Sequence, residues 1–134
     1  MSKRILVIDD YTTNLFIAKL TINQQGFFQI ISYSEAQLAL DFLLNNQQNK
    51  SALPDVLLLD LSMPVMSGWE FLDSFEELAP SLIKEIDIYI LSSSSASEDI
   101  RRSKTYNSVN DFYTKPLTQG MLQQIMKNCL KTTG

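Results

Sequence analysis

Short, uninterrupted apolar runs alternate along the chain with longer segments whose apolar residues recur at helical spacing. A run with no polar face belongs to a strand buried on both sides, as in a parallel sheet covered by crossover helices. The runs predict strands over Arg4 to Ile8, Gln29 to Tyr33, Asp55 to Leu59, Asp87 to Leu91 and Asp111 to Tyr113. Five helices are predicted between and after them. The first covers Thr13 to Gln25, with Leu15, Ala18 and Ile22 on one stripe, Lys19 off it, and Gly26 as its stop. The second follows Ser34 as N-cap and turns Ala36, Leu40, Leu43 and Leu44 inward. Capping-box spacing at Ser67-Gly68-Trp69-Glu70, and again at Ser95-Ala96-Ser97-Glu98, predicts the starts of the third and fourth. Thr118 caps a fifth helix that runs to Lys131, and the polar stretch Asn45 to Ser51 is a loop.

Strand and helix alternate without repeats, which predicts an α/β fold: one open, doubly wound, five-stranded parallel sheet with helices on both faces. The strand order 2-1-3-4-5 is favoured for such a sheet, and its ligand site lies beyond the carboxyl ends of the strands, where the winding reverses. The 134 residues suit a single domain over 1–134, with no output domain attached. The residues that follow each apolar run are therefore delivered to one edge. They are Asp9 and Asp10 after the first strand, Asp60 after the third, Ser92 and Ser93 after the fourth, and Lys115-Pro116 after the fifth.

Composition narrows the chemistry. The chain has no histidine, which removes Ser-His-Asp and Cys-His catalysis, histidine metal sites and a phosphohistidine donor role. The one cysteine, Cys129, excludes an intrachain disulfide and reads as a core residue in a reducing compartment. A net charge of −4 works against nucleic-acid binding, and Arg101, Arg102 and Lys104 read as a solvated helix face. The apolar run Ile5 to Ile8 is too short for a signal peptide or a membrane span. A cytoplasmic protein with neither nucleic-acid nor membrane partners is expected.

Two unit charges ~4 Å apart repel by ~4 kcal/mol at an effective dielectric of ~20, so three carboxylates at one edge need compensation. Protonation is one remedy. A hard divalent cation is the other, and an all-oxygen cluster suits Mg²⁺. Such a site can host phosphoryl transfer, which needs an oxygen nucleophile and charge neutralisation on the phosphoryl oxygens. Asp60, alone at the end of Val56-Leu57-Leu58-Leu59, is the candidate nucleophile, and Asp9 and Asp10 are the candidate ion ligands. Ser92 is placed to donate its hydroxyl to a phosphoryl oxygen, and Lys115 to pair with the carboxylate or the transferred group. Each residue also has an ordinary reading. Acids after a strand can begin a helix through the macrodipole. Lys115 can be a surface lysine, and Phe112 is by default a core aromatic. It is the conjunction at four strand ends that favours a site.

At these residues the chain resembles the response-regulator receiver family of two-component signalling, across essentially its whole length. The pieces are Ile5-Leu6-Val7-Ile8-Asp9-Asp10, Leu58 to Gly68 with Asp60-Leu61-Ser62-Met63-Pro64 at its centre, Ile90-Leu91-Ser92-Ser93, and Asp111-Phe112-Tyr113-Thr114-Lys115-Pro116. The resemblance implies a flavodoxin-like receiver fold, like that of the single-domain chemotaxis receivers. It implies that Asp60 is the phosphoacceptor, that Asp9, Asp10 and Asp60 hold Mg²⁺, and that Ser62 lends its backbone carbonyl to the ion. Ser92 matches the switch hydroxyl, Phe112 the aromatic that turns inward with it, and Lys115 the lysine usually joined to its proline by a cis peptide. Ser62 and Ser94 match the positions that tune loss of the phosphoryl group. Asn107-Ser108-Val109 stands where the family often has a glycine-containing turn. Trp69 receives no chemical role.

The expected function is a signalling switch. A sensor histidine kinase or phosphotransfer protein phosphorylates Asp60, and the domain catalyses only its own phosphorylation and dephosphorylation. The signal passes to a downstream protein through the fourth helix, fifth strand and fifth helix, Ser95 to Lys131. Alternatives are a phosphorelay intermediate using the same site and a small Mg²⁺-dependent aspartyl-phosphate phosphohydrolase, whose usual sign is Asp-x-Asp where this chain has adjacent acids. A flavin module on the same fold is disfavoured by the acidic edge.

Overall fold

A computed structural model describes residues 3–131. The ends of the expected 1–134 domain lie outside the described residues. The strands are β1 (Lys3–Ile8), β2 (Phe28–Tyr33), β3 (Val56–Leu59), β4 (Asp87–Ser92) and β5 (Val109–Thr114). The helices are α1 (Thr12–Gln25), α2 (Ala36–Asn45), α3 (Gly68–Leu78), α4 (Ser97–Ser103) and α5 (Gln119–Lys131), with a 3-10 turn at Ala79–Ser81. Every pairing is parallel and the order is β2-β1-β3-β4-β5, the doubly wound sheet expected from the sequence.

Side chains alternate across a strand, so the apolar runs sort into two cores. Leu6, Ile8, Leu57, Leu59, Ile88 and Ile90 pack with the buried side chains of α2 and α3. Ile5, Val7, Val56, Leu58, Tyr89 and Leu91 pack with those of α1 and α5, where Cys129 is buried as expected. The central strands bury both faces because both faces carry helices, which is why their sequence does not alternate.

Helix starts follow the sequence unevenly. At α3 the capping box forms: Glu70 N–H donates to Ser67 Oγ at 3.2 Å, and Ser67 N–H donates to Glu70 Oε1 at 3.0 Å. Thr118 Oγ1 accepts from Met121 N–H at 3.2 Å at the start of α5, and Gly26 stops α1 in the left-handed conformation at φ 63°. The second box, at Ser95, does not form. Ala96 is the N-cap of α4 without a side-chain bond, and Ser94 Oγ takes the Ala96 N–H instead, so the serines close a turn before the helix. Ser34 likewise does not cap α2, whose N-cap is Glu35 without a side-chain bond. Leu44 is exposed rather than inward, and Ala39 takes the buried position.

The edge strand β5 is longer than its apolar run because its outer positions face solvent and carry polar residues. Ile88 lies opposite Val109 but Tyr89 opposite Asp111, so Asn110 is an extra residue in the ladder. That bulge lies directly after Asn107-Ser108-Val109 and re-aims the strand toward Phe112.

Candidate functional site

The hydrogen-bond ladder runs one residue past the strands and takes hold of the predicted site residues by their backbones. Asp9 N–H donates to Tyr33 O at 3.2 Å, Asp60 N–H to Ile8 O at 3.0 Å, and Lys115 N–H to Ser92 O at 2.7 Å. Acids, hydroxyl and lysine are thus fixed to the rigid sheet rather than to free loops.

The acidic and lysine side chains converge. Lys115 Nζ lies 2.6 Å from Asp9 Oδ2 and 3.2 Å from Asp60 Oδ1, bridging the two carboxylates. Asp9, Asp60 and Ser92 are 4%, 4% and 1% exposed, whereas Asp10 faces solvent. Asp9, Asp10 and Asp60 each bring a carboxylate oxygen within 4.8 Å of the others. Three hard oxygen donors at that spacing, one of them open to water, fit Mg²⁺, which binds through a few carboxylates and keeps several waters. The acids do not serve the helix: the first turn of α1 contains no acidic residue, and Asp9 Oδ1 instead accepts from Tyr11 N–H at 3.0 Å.

Burial pushes the Asp60 carboxyl above its usual range, and the neighbouring Asp9 charge pushes in the same direction. Lys115 and a backbone hydrogen bond from Ser62 pull the other way. Ser62 therefore meets Asp60 through its backbone N–H. Ser92 Oγ accepts from Ser94 N–H at 3.1 Å, which leaves its hydroxyl proton available to another acceptor. The Lys115–Pro116 peptide is cis. Phe112 is half-buried against the core on the α2 and α3 side.

Three features of the site were not readable as such. Gly68, the first residue of α3, donates its N–H to Leu61 O at 3.0 Å, and a Cβ there would lie 2.5 Å from Asp60 O and 2.7 Å from Leu61 Cα. Only glycine allows this approach, and the signal was a poor helix former at a helix start. Val65, fully exposed at 100%, holds φ 69° in a three-residue turn closed by Met66 N–H donating to Pro64 O at 2.8 Å. A β-branched residue there is strained, and nothing in its sequence context announces it. Asn14 lines a cavity of about 20 Å³, room for one water, together with Asp9, Ile17, Asp60 and Lys115.

Fold and edge together define a class of α/β domain built around an acidic cluster at the carboxyl ends of a parallel sheet. The chain belongs to the response regulator receiver domain family, whose model matches residues 5–127. It is 30% identical over 129 residues to the two-component response regulator ORR1 of Oryza sativa subsp. japonica, covering 94% of this chain and 54% of that protein. The chain thus spans about half the length of this relative. Over 115 residues it is 28% identical to the probable methanogenesis regulatory protein FilR2 of Methanothrix harundinacea, covering 85% of this chain and 72% of that one. A two-component response regulator from Cytophaga hutchinsonii superposes with a TM-score of 0.88 at 24% identity, over 97% and 98% of the two chains. The chemotaxis protein CheY4 of Vibrio cholerae gives 0.75 at 20% identity, over 96% and 99%. Both likenesses are of fold. Among the described residues, no helix is long and apolar enough to cross a membrane.

Proposed function

We propose that the chain is a phosphorylation-dependent switch in which Asp60 takes a phosphoryl group from a phosphohistidine donor. The supporting observation is the buried Asp60 carboxylate, held beside Lys115 at 3.2 Å and within 4.8 Å of oxygens from Asp9 and Asp10. An Asp60 oxygen attacks phosphorus, the P–N bond to the donor imidazole breaks, and that nitrogen takes up a proton as it leaves. Asp9, Asp10 and Asp60, with the Ser62 carbonyl, would hold Mg²⁺, which would supply charge neutralisation on the transferring oxygens. Lys115 exchanges its carboxylate partners for a phosphoryl oxygen, and the Ser92 hydroxyl donates to another. Both contacts exist in one state only, so they bias the Ser92–Ser95 segment and the half-buried Phe112 toward a second arrangement. The α4–β5–α5 face carries that change to a downstream protein.

The donor, a sensor histidine kinase or a phosphotransfer protein, approaches over α1. Tyr11, Phe16, Ile17 and Leu20 are exposed there, and Ile17 also lines the cavity that contains Asp9, Asp60 and Lys115. An apolar patch contiguous with the acceptor suits a helical partner. A relay intermediate would use the same surface and the same carboxylate.

A switch accumulates one phosphoryl group, whereas a phosphohydrolase turns over. Incubation with acetyl phosphate and Mg²⁺ should add one phosphoryl mass per chain, followed by slow hydrolysis, with no steady release of phosphate from varied monoesters. Sustained multiple-turnover release would make the phosphohydrolase reading the correct one.

A further inference from the structure

α4 is a short helix with little of its own to hold it. It spans Ser97–Ser103, has no side-chain N-cap, and buries only Ser103. A cluster of side chains at its C-terminal end ties it to α3. The Arg102 guanidinium lies 4.5 Å from the centre of the Trp69 ring. The Tyr106 ring, just beyond α4, stacks on Trp69 at 5.8 Å and 21°. Tyr106 Oη donates to Asp73 Oδ1 on α3 at 2.7 Å, and Arg102 hydrogen-bonds the Tyr106 side chain as well. Arg102 is therefore not simply part of a solvated basic face, and Trp69 is not a bystander.

The other end of the connection is the acceptor segment. Trp69 directly follows Gly68, whose Cα is pressed against the Asp60 carbonyl and Leu61 with no space for a methyl group. Movement of the backbone at Asp60 therefore displaces the first turn of α3 and the indole with it. In the arrangement described, the Ser92 hydroxyl is bonded within its own loop and Lys115 bridges Asp9 and Asp60. The clasp closes around α4 in this same arrangement.

We propose that Arg102, Trp69, Tyr106 and Asp73 form a clasp that holds α4 against α3 while Asp60 is a free carboxylate, so that opening it favours the phosphorylated arrangement. The inference rests on the reading of Asp60 as phosphoacceptor and adds a device that regulates it. Because linkage is reciprocal, weakening contacts made in one state raises affinity for the ligand of the other.

Two measurements on the whole chain separate this clasp from the acceptor reading. The first is amide hydrogen exchange without any phosphoryl analogue. Arg102→Ala and Tyr106→Phe should speed exchange in residues 97–106 about two- to fivefold, the scale of one exposed cation–π or hydrogen-bond contact, and leave β1 and β3 unchanged. The second is titration with beryllofluoride in Mg²⁺. Arg102→Ala should bind about two- to fivefold more tightly than wild type, and Arg102→Lys, which keeps a cation over the indole, should return toward wild type. Unchanged exchange in α4 would refute the clasp even if beryllofluoride binds. Faster exchange with unchanged or weaker beryllofluoride affinity would reduce it to a purely structural contact and overturn the proposal. Failure of wild type to bind beryllofluoride would instead count against Asp60 as acceptor, with the exchange result still deciding whether α4 is clasped.

Discussion

At the scale of single residues, the chemistry of the site is a balance of charges on Asp60. Burial and Asp9 disfavour its ionised form, while Lys115 and the Ser62 backbone favour it, and the net direction is a pKa raised above 3.8. The folded state therefore holds this proton more tightly than the unfolded chain. Stability contributed at Asp60 is lost as pH rises from its unfolded pKa through its folded one. Asparagine at this position has no proton to lose. The stability of Asp60→Asn relative to wild type should thus increase as pH rises from about 4 toward neutrality, and then level off. Urea unfolding of the two proteins across that range measures it; a difference that stays flat or shrinks would mean that Lys115 outweighs burial. That Asp9, Asp10, Asp60 and Lys115 gather in one cluster was legible because each follows an apolar run, and parallel topology sends all such ends to one edge. The close approach of Gly68 to Asp60 and the positive φ of Val65 were not legible. They depend on how a loop folds back on a strand, which no local pattern encodes.

Elements show where local sequence rules hold and where they yield. The boxes at Ser67 and Ser95 have the same spacing, yet only the first forms. α3 buries Phe71, Leu72 and Phe75, which fixes its first turn so that the box can close. α4 buries only Ser103, and the serines before it bond among themselves. Ser67→Ala should accordingly cost about 1 kcal/mol of stability, a usual N-cap loss. Ser95→Ala should stay within about 0.5 kcal/mol of wild type, as a surface substitution without a partner. Denaturant midpoints of the two variants check the contrast, and equal losses would contradict it. The same logic explains the strands. β1, β3 and β4 were legible as apolar runs because both faces are covered, whereas β5 was legible only at its core because edge positions carry Asn110 and Asp111. The bulge at Asn110 emerges only from pairing with β4.

For the molecule as a whole, two cores lock the sheet into one rigid frame, and the site residues extend from it by backbone bonds. By contrast, α4 buries only Ser103, and Ser93 and Ser95 before it are exposed. A rigid acidic edge beside a lightly buried helix would let a small change in contacts select between two arrangements, as a binary switch requires. The carboxylate of Asp60, and no other group, should become esterified when Mg²⁺ is present. Acyl phosphates are reduced by borohydride to a stable alcohol, so treating the acetyl phosphate-labelled protein and mapping its peptides by mass locates the modified residue. Modification confined to Asp60, absent in EDTA and absent from Asp60→Asn, is the predicted result. Modification at Asp9, Asp10 or a serine, or labelling that persists in Asp60→Asn, would rule out Asp60 as the phosphoacceptor.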